Sequence, residues 1–278
     1  MPAGTQPAPG RGGFGSFGSF GSFGGLGAAA AAVRHARART RRTRGAFMPD
    51  VSTPDASCPY ALNPQAMTKI WDISPPVSAR SPVFPGDTPY RQQWRWTIGP
   101  GCPVNVSEIT LSPHIGAHAD APLHYDPRGA AAGMLGLEPF LGPCRVIHAL
   151  RGGSLVGIED LRPFMDGAPP RILVRTCEHA PVDAWSDSFA AYDPAAVEYL
   201  AAAGVMLIGI DTPSIDPAPS KSLDSHQAIA RHGLRVLENL VLDAVPAGDY
   251  ELIALPLALV EADASPVRAV LRPLGTPC

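Results

Sequence analysis

Between Ser112 and Tyr125 the chain reads Ser-Pro-His-Ile-Gly-Ala-His-Ala-Asp-Ala-Pro-Leu-His-Tyr, which sets His114, His118, Asp120 and His124 among mostly small residues. Neutral imidazole nitrogen and carboxylate oxygen are the donors that a borderline divalent cation such as Zn2+ selects, and donors close in sequence converge at little cost in chain entropy. The competing reading is a polar loop whose histidines bond only to backbone. It loses ground because four ligand-type residues crowd one short stretch. His114 and His118 have the i, i+4 spacing of a zinc-protease helix, but no Glu follows His114, and Pro113, Gly116 and Pro122 interrupt a helix. The ligands are therefore expected on a strand exit and an irregular loop, where Gly116, Ala117, Ala119 and Ala121 leave room for side chains to fold inward.

A second polar group, Asp211-Thr212-Pro213-Ser214-Ile215-Asp216, follows the apolar run Val205 to Ile210, and Asp224-Ser225-His226 opens a helix-like stretch that carries Glu238. Loops that leave buried strands are common seats for catalytic groups. His226 and Glu238 are candidates to complete a coordination sphere begun by His114, His118 and Asp120. Taken alone, Asp224 reads as a helix N-cap and Glu238 as a solvated helical residue. Sequence separation leaves open whether these groups meet.

The segments Ile70-Trp71-Asp72-Ile73-Ser74-Pro75-Pro76, Phe84-Pro85-Gly86-Asp87-Thr88-Pro89, His114 to His124, Leu141-Gly142-Pro143-Cys144-Arg145-Val146 and Asp211-Thr212-Pro213-Ser214 agree in order and spacing with one family. Together they resemble the bacterial kynurenine formamidases, arylformamidases of the metal-dependent cyclase family, from about Met67 to the C-terminus. The resemblance implies that His114, His118 and Asp120 hold one divalent metal ion, that Asp120 and Glu238 bridge to a second, and that His226 ligates that second ion. It further implies His124 as the catalytic acid/base and a substrate pocket lined at Phe84, where relatives carry a tryptophan; the change keeps an aromatic wall and loses an indole N–H. The implied activity is hydrolysis of N-formyl-L-kynurenine to L-kynurenine and formate in tryptophan catabolism, by a homodimer with two divalent ions. Affinity order puts zinc first among these, with manganese or cobalt also suited to mixed nitrogen and oxygen donors. Within the family the nearest alternative is hydrolysis of isatin or another cyclic amide, which Phe84 favours slightly. Outside it stands a closed structural metal site in a binding protein.

The chemistry can be rebuilt from the residues. Hydrolysis of a formyl anilide needs a nucleophile at neutral pH, a Lewis acid on the carbonyl oxygen and a proton for the departing amine. A pair of bound cations supplies the first two, since a coordinated water falls from a pKa of about 15.7 to about 7. An imidazole, with an ordinary pKa of about 6.5, suits His124 to the third task. A serine route would want a Gly-x-Ser-x-Gly elbow, and Ser154 in Gly152-Gly153-Ser154-Leu155 lacks the second glycine. The five cysteines, Cys58, Cys102, Cys144, Cys177 and Cys278, show no CxxC spacing and no catalytic signature; Cys144 and Cys177 read as buried thiols, and the set suits a reducing cytoplasm.

Residues 1–66 differ in kind, with a Phe-Gly-Ser repeat over Phe14 to Gly21, an alanine run and the arginine-rich stretch Arg34 to Arg44. Gly13 to Gly18 satisfies the letter of G-x-G-x-x-G, but no apolar strand precedes it. This extension is expected to be disordered, and Met67 is a candidate true start. A transit peptide or a basic nucleic-acid or membrane contact ranks below that reading. Seven arginines against Asp50 and Asp55 in 1–66 leave residues 67–278 with fifteen Lys/Arg against twenty-three Asp/Glu, a formal charge of −8. An acidic body argues against nucleic acid as a partner, and no run approaches the roughly 20 apolar residues of a membrane span.

The elements that must position these groups are mostly strands, at Val104 to Leu111, Arg145 to Leu150, Arg171 to Arg175, Val205 to Ile210, Leu252 to Leu259 and Val267 to Leu271. One helix is predicted from Asp193-Pro194 to Gly204, with a cap, a first-turn proline and a glycine stop. A second is predicted over Ser225 to Leu240, interrupted or capped near Gly233. The mixture makes residues 67–278 a single α/β domain, and the resemblance implies the swivelling β/β/α cyclase-like fold.

Overall fold

The computed structural model describes residues 69–275. The extension 1–66 and the boundary at Met67 lie outside the described residues. The chain enters at β1 (Trp71–Asp72), forms a ribbon of β2 (Arg91–Trp96) and β3 (Val106–Thr110), and then lays down β4 (His118–Asp120). Next come β5 (Leu141–His148), β6 (Leu155–Val156), the short helix α1 (Ile158–Leu161), β7 (Arg171–Arg175), β8 (Ala191–Tyr192), helix α2 (Pro194–Ala202) and β9 (Leu207–Ile210). Helix α3 (Asp224–His232), β10 (Arg235–Glu238), β11 (Gly248–Ile253), β12 (Ala264–Pro266) and β13 (Val270–Pro273) complete the order.

Nine of these strands form one mixed sheet in the order β1-β13-β11-β5-β7-β9-β10-β4-β12. Its centre, β5 to β10, is parallel, and the strands on both flanks run antiparallel. Parallel strands covered on both faces read as continuous apolar runs, as Ile172-Leu173-Val174 and Leu207-Ile208 do. Alternate residues divide between two cores. Ile172, Val174, Ile208, Ile210 and Val236 pack with Leu161 of α1, Val197 and Leu200 of α2 and Ile229 of α3. Leu173, Leu207, Leu237, Leu252 and Leu271 turn to the other face, joined by Ala117, Ala119 and Ala121. Each fully buried aliphatic side chain contributes about 1.5–3 kcal/mol over exposure, whereas a helix under about 12 residues is marginal alone. Packing on the sheet, more than helix propensity, thus holds the nine-residue α3 in place.

Several expectations need correction. The helix predicted over Ser225 to Leu240 ends at Gly233, which adopts the left-handed conformation (φ 68°) that favours glycine, and the chain then turns into β10. Glu238 is therefore a buried strand residue and not a solvated helical one. Asp224 is the first residue of α3 and makes no cap; Leu223 occupies the cap position at φ 51°. His118 to Asp120 is a strand and not a loop, because it is paired on both sides, with β10 and with β12. The strand expected over Leu252 to Leu259 stops at Ile253, short of Pro256, which has no N–H to give a ladder. The strand expected from Val267 starts at Val270, and β12 precedes it.

Candidate metal centre

Strand β4 forms the floor of the site. Alternation sends Ala119 into the aliphatic core and turns His118 and Asp120 to the helix-bearing face. The antiparallel register with β10 sets Glu238 opposite His118 and Val236 opposite Asp120. Cross-strand partners on one face have adjacent Cβ atoms, and the Glu238 carboxylate accordingly lies 3.2 Å from His118 Nε2. Just upstream, Gly116 takes φ 63°, and a Cβ there would stand 2.8 Å from Val77 Cγ2. Its carbonyl accepts a hydrogen bond from His118 Nδ1 at 2.9 Å, which fixes the imidazole tautomer.

His114, in the turn before β4, places Nδ1 3.0 Å from Asp120 Oδ1 and Nε2 3.0 Å from Asp263 Oδ2. Helix α3 lowers His226 onto the same group, with Nε2 3.1 Å from Asp120 Oδ2 and 3.6 Å from Glu238 Oε1. Asp216 steers that approach. One oxygen accepts from Ser225 N–H at 2.9 Å, and the other accepts from His226 N–H at 3.0 Å and from His226 Nδ1 at 2.6 Å. Asp216 thus caps the helix that Asp224 was expected to cap and orients the ring that the helix carries. Glu238 Oε1 also accepts from Ile215 N–H at 2.7 Å, tying β10 to the loop after β9.

Asp120, His118, His226 and Glu238 are all buried. Burial alone would raise the Asp120 pKa, but the flanking His114 and His226 rings hold it well below the usual carboxylate range. Burial works against a charged His226, yet its contacts with Asp120 and Asp216 and the Glu238 charge push it up to about 10. His114 is likewise raised to about 9, burial being outweighed by Asp120 and Asp263. The four carboxylates of Asp120, Glu238, Asp216 and Asp263 form a pocket that demands positive charge.

Two buried atoms show where that charge belongs. His118 Nε2 and Asp120 Oδ1, 3.4 Å apart, are without hydrogen-bond partners. With its proton on Nδ1, His118 turns a lone pair toward two carboxylate oxygens. Facing acceptors in a buried place repel unless a cation lies between them. His226 is also aimed at these carboxylates, its Nδ1 proton given to Asp216 and its Nε2 in hydrogen-bond contact with Asp120 Oδ2 at 3.1 Å, a position a cation would take over from the proton. The donor set fits a divalent cation with imidazole and carboxylate preference. Ligand atoms converge in three groups: His114, His118 and Asp120; Asp120, His124 and His226; and His114, His124 and Asp263. The first two share Asp120, whose Oδ1 faces His114 and His118 while Oδ2 faces His226.

His124, on a single 3-10 turn after β4, is exposed in the cavity, its ring 4.4 Å from His114 and 5.7 Å from His226. The cavity holds about 340 Å³ and is lined on one side by these imidazoles and on the other by Phe84, Trp185 and Phe189. Phe84 packs edge-on against Trp185 at 5.1 Å, and Trp185 against Phe189 at 6.2 Å. Trp185 brings an indole to the wall beside Phe84, and its N–H is given to Asp187 at 2.7 Å.

The structure brings His114, His118, His124, His226, Glu238 and Phe84 to one cavity, with Asp120 buried against His114 and His226. Sequence reasoning missed Asp216 as the His226 partner, Asp263 beside His114, and the wall residues Trp185 and Phe189. Asp216 stood in a segment already marked as polar, whereas nothing near Asp263 or Trp185 signals a site. Asp211, in the same marked segment, is a pin between loops. Its carboxylate accepts from Thr176 N–H, Thr176 Oγ1 and Cys177 N–H, and burial raises its pKa against those bonds.

A family model described as "Putative cyclase" matches residues 71–217. A kynurenine formamidase of Bordetella pertussis is 71% identical over 209 residues, which are 75% of this chain and 100% of that protein. A kynurenine formamidase of Delftia acidovorans is 69% identical over 207 residues, 74% of this chain and 99% of that protein. Among solved structures, one titled "predicted metal-dependent hydrolase from Bacillus stearothermophilus" is 28% identical with a TM-score of 0.63, covering 73% of this chain and 97% of that one.

Proposed function

The chain belongs to the cyclase family, and on that footing we propose that it is an arylformamidase that hydrolyses N-formyl-L-kynurenine to L-kynurenine and formate, a step of tryptophan catabolism. The observation that carries the chemistry is Asp120, buried between two sets of imidazoles and left with an unpartnered oxygen beneath an aromatic-walled cavity. Kinship with kynurenine formamidases over their whole length supports the substrate.

His114, His118 and Asp120 would hold one divalent ion, and Asp120, His226 and Glu238 a second, with zinc the first choice for such donors. When bound, the pair supplies Lewis acidity at the formyl carbonyl and acidifies water. Everything else falls to the chain. Gly116 O and Asp216 hold the His118 and His226 rings with Nε2 turned inward. Phe84, Trp185 and Phe189 receive the aryl ring and exclude water around it. His124, exposed in the cavity, accepts a proton from water and delivers it to the anilide nitrogen as the C–N bond breaks, so that the amine leaves neutral.

We assign the working form to a homodimer in the cytoplasm. Trp94, Trp96, Ile98 and Ile109 are exposed on or beside the β2–β3 ribbon, which among the described residues no other strand pairs, and a second copy of this chain is the occupant proposed for that apolar surface. Cys102, Cys144 and Cys177 are free thiols, in keeping with a reducing compartment. Among the described residues no helix is long and apolar enough to cross a membrane.

The test is turnover of N-formylkynurenine by the purified full chain, followed by absorbance. Activity is expected to vanish on chelation and return with Zn2+. Faster turnover of isatin than of N-formylkynurenine would overturn the assignment.

A further inference from the structure

We propose that Asp263 is a positioning residue for His124: one carboxylate oxygen, shared with His114, orients the His124 ring and fixes which of its nitrogens exchanges the proton. The inference rests on His124 being the acid/base of the proposed reaction. Asp263 Oδ2 stands 3.0 Å from His114 Nε2 and 3.5 Å from His124 Nδ1, while the two rings lie 4.4 Å apart. A single acceptor therefore faces two N–H groups on neighbouring imidazoles. The longer contact has the length expected of a catalytic hydrogen bond before substrate tightens the site.

Asp263 is held where it can do this. Its backbone carbonyl accepts from Ala121 N–H at 2.9 Å, the neighbouring Ala262 carbonyl accepts from Ala132 N–H at 2.8 Å, and Ala264 pairs with Asp120 in the sheet. The carboxylate thus sits one residue ahead of β12, which pairs with the strand that carries His118 and Asp120. His124 sits on a three-residue turn and is exposed, and among the described residues Asp263 is its one carboxylate partner at ion-pair distance. A ring so placed would otherwise be free to rotate about χ2 and present either nitrogen. An acceptor at Nδ1 holds the ring by that nitrogen and leaves Nε2 as the group that accepts a proton from water and passes it to the leaving nitrogen. Asp263 remains a carboxylate throughout.

The rival role is structural, with Asp263 acting only through His114 and its metal. A double-mutant cycle separates them. Wild type, Asp263→Asn, His124→Ala and the double variant are compared for kcat, KM and metal content on N-formylkynurenine. With Zn2+ held at saturation, so that any weakening of metal binding through His114 is compensated, Asp263→Asn is expected to lower kcat about 10- to 100-fold with KM unchanged, and to add less than about 2-fold in the His124→Ala background. An equal loss in both backgrounds, or a loss that follows metal content, overturns the proposal. If the Asn variant does not fold, Asp263→Ser serves the same cycle with the same criteria. Should wild type spare N-formylkynurenine and hydrolyse isatin, the substrate assignment falls and the cycle is read on isatin.

Discussion

Asp216→Asn separates the two tasks of that carboxylate. Asn oxygen can keep the Ser225 N–H bond, but its NH2 then faces His226 N–H and His226 Nδ1, both donors in the native arrangement. His226 relieves the conflict by giving up its Nδ1 proton and keeping the one on Nε2, so that Nδ1 accepts from the amide. Nε2–H then points at Asp120 Oδ2, 3.1 Å away, and no lone pair remains for a cation. One capping bond to α3 is lost, which costs about 1 kcal/mol, and removal of a ligand-orienting partner costs about 10- to 100-fold in metal affinity. In the metal-free protein the thermal midpoint should therefore fall by about 2–4 °C. In saturating Zn2+ the further drop in affinity removes about 1.4–2.7 kcal/mol of ligand stabilisation, so the loaded midpoint should fall by roughly two to four times as much. Paired melts with and without Zn2+, together with a competitive chelator titration, measure both. Equal falls in the two melts, with the Zn2+ dissociation constant unchanged, would refute the tautomer reasoning.

Asp120→Ala should lower metal content per chain toward zero, since both candidate ligand sets use that residue; elemental analysis of a fully loaded variant would contradict the shared role. Trp185→Ala, which opens the wall against Phe84, should raise KM for N-formylkynurenine by about 10-fold, from the loss of one or two kcal/mol of aromatic contact, with kcat nearly unchanged; steady-state kinetics decide. Deletion of residues 1–66 should leave kcat/KM intact, and an inactive truncation would reassign that segment.

The local part of the site was readable from residue types because its donors lie within one short segment, and α2 was readable because Asp193 does cap it, accepting from Ala195 N–H at 2.9 Å. Strand β7 matches its apolar run residue for residue. Glu238 was misread because Arg235-Val236-Leu237-Glu238 has no helical or strand signature of its own; its conformation is set by β9 on one side and β4 on the other, pairings that span long stretches of chain. Asp216 and Asp263 escaped for a related reason: a carboxylate that serves a distant imidazole has no short-range pattern, since only the folded sheet brings Asp263 within 3.0 Å of His114. The aromatic wall is assembled from Phe84 and residues about a hundred positions later, and aromatic side chains far apart in sequence carry no mark of mutual contact.

The alternation along β4 carries an evolutionary consequence. Because His118 and Asp120 share a face and Ala119 takes the other, a one-residue insertion or deletion within this strand would exchange the two sides, driving a carboxylate into the alanine and leucine layer and presenting a methyl group to the cavity. The loops on either side can therefore change in length without reversing these faces, whereas the His-Ala-Asp triplet admits no change of frame.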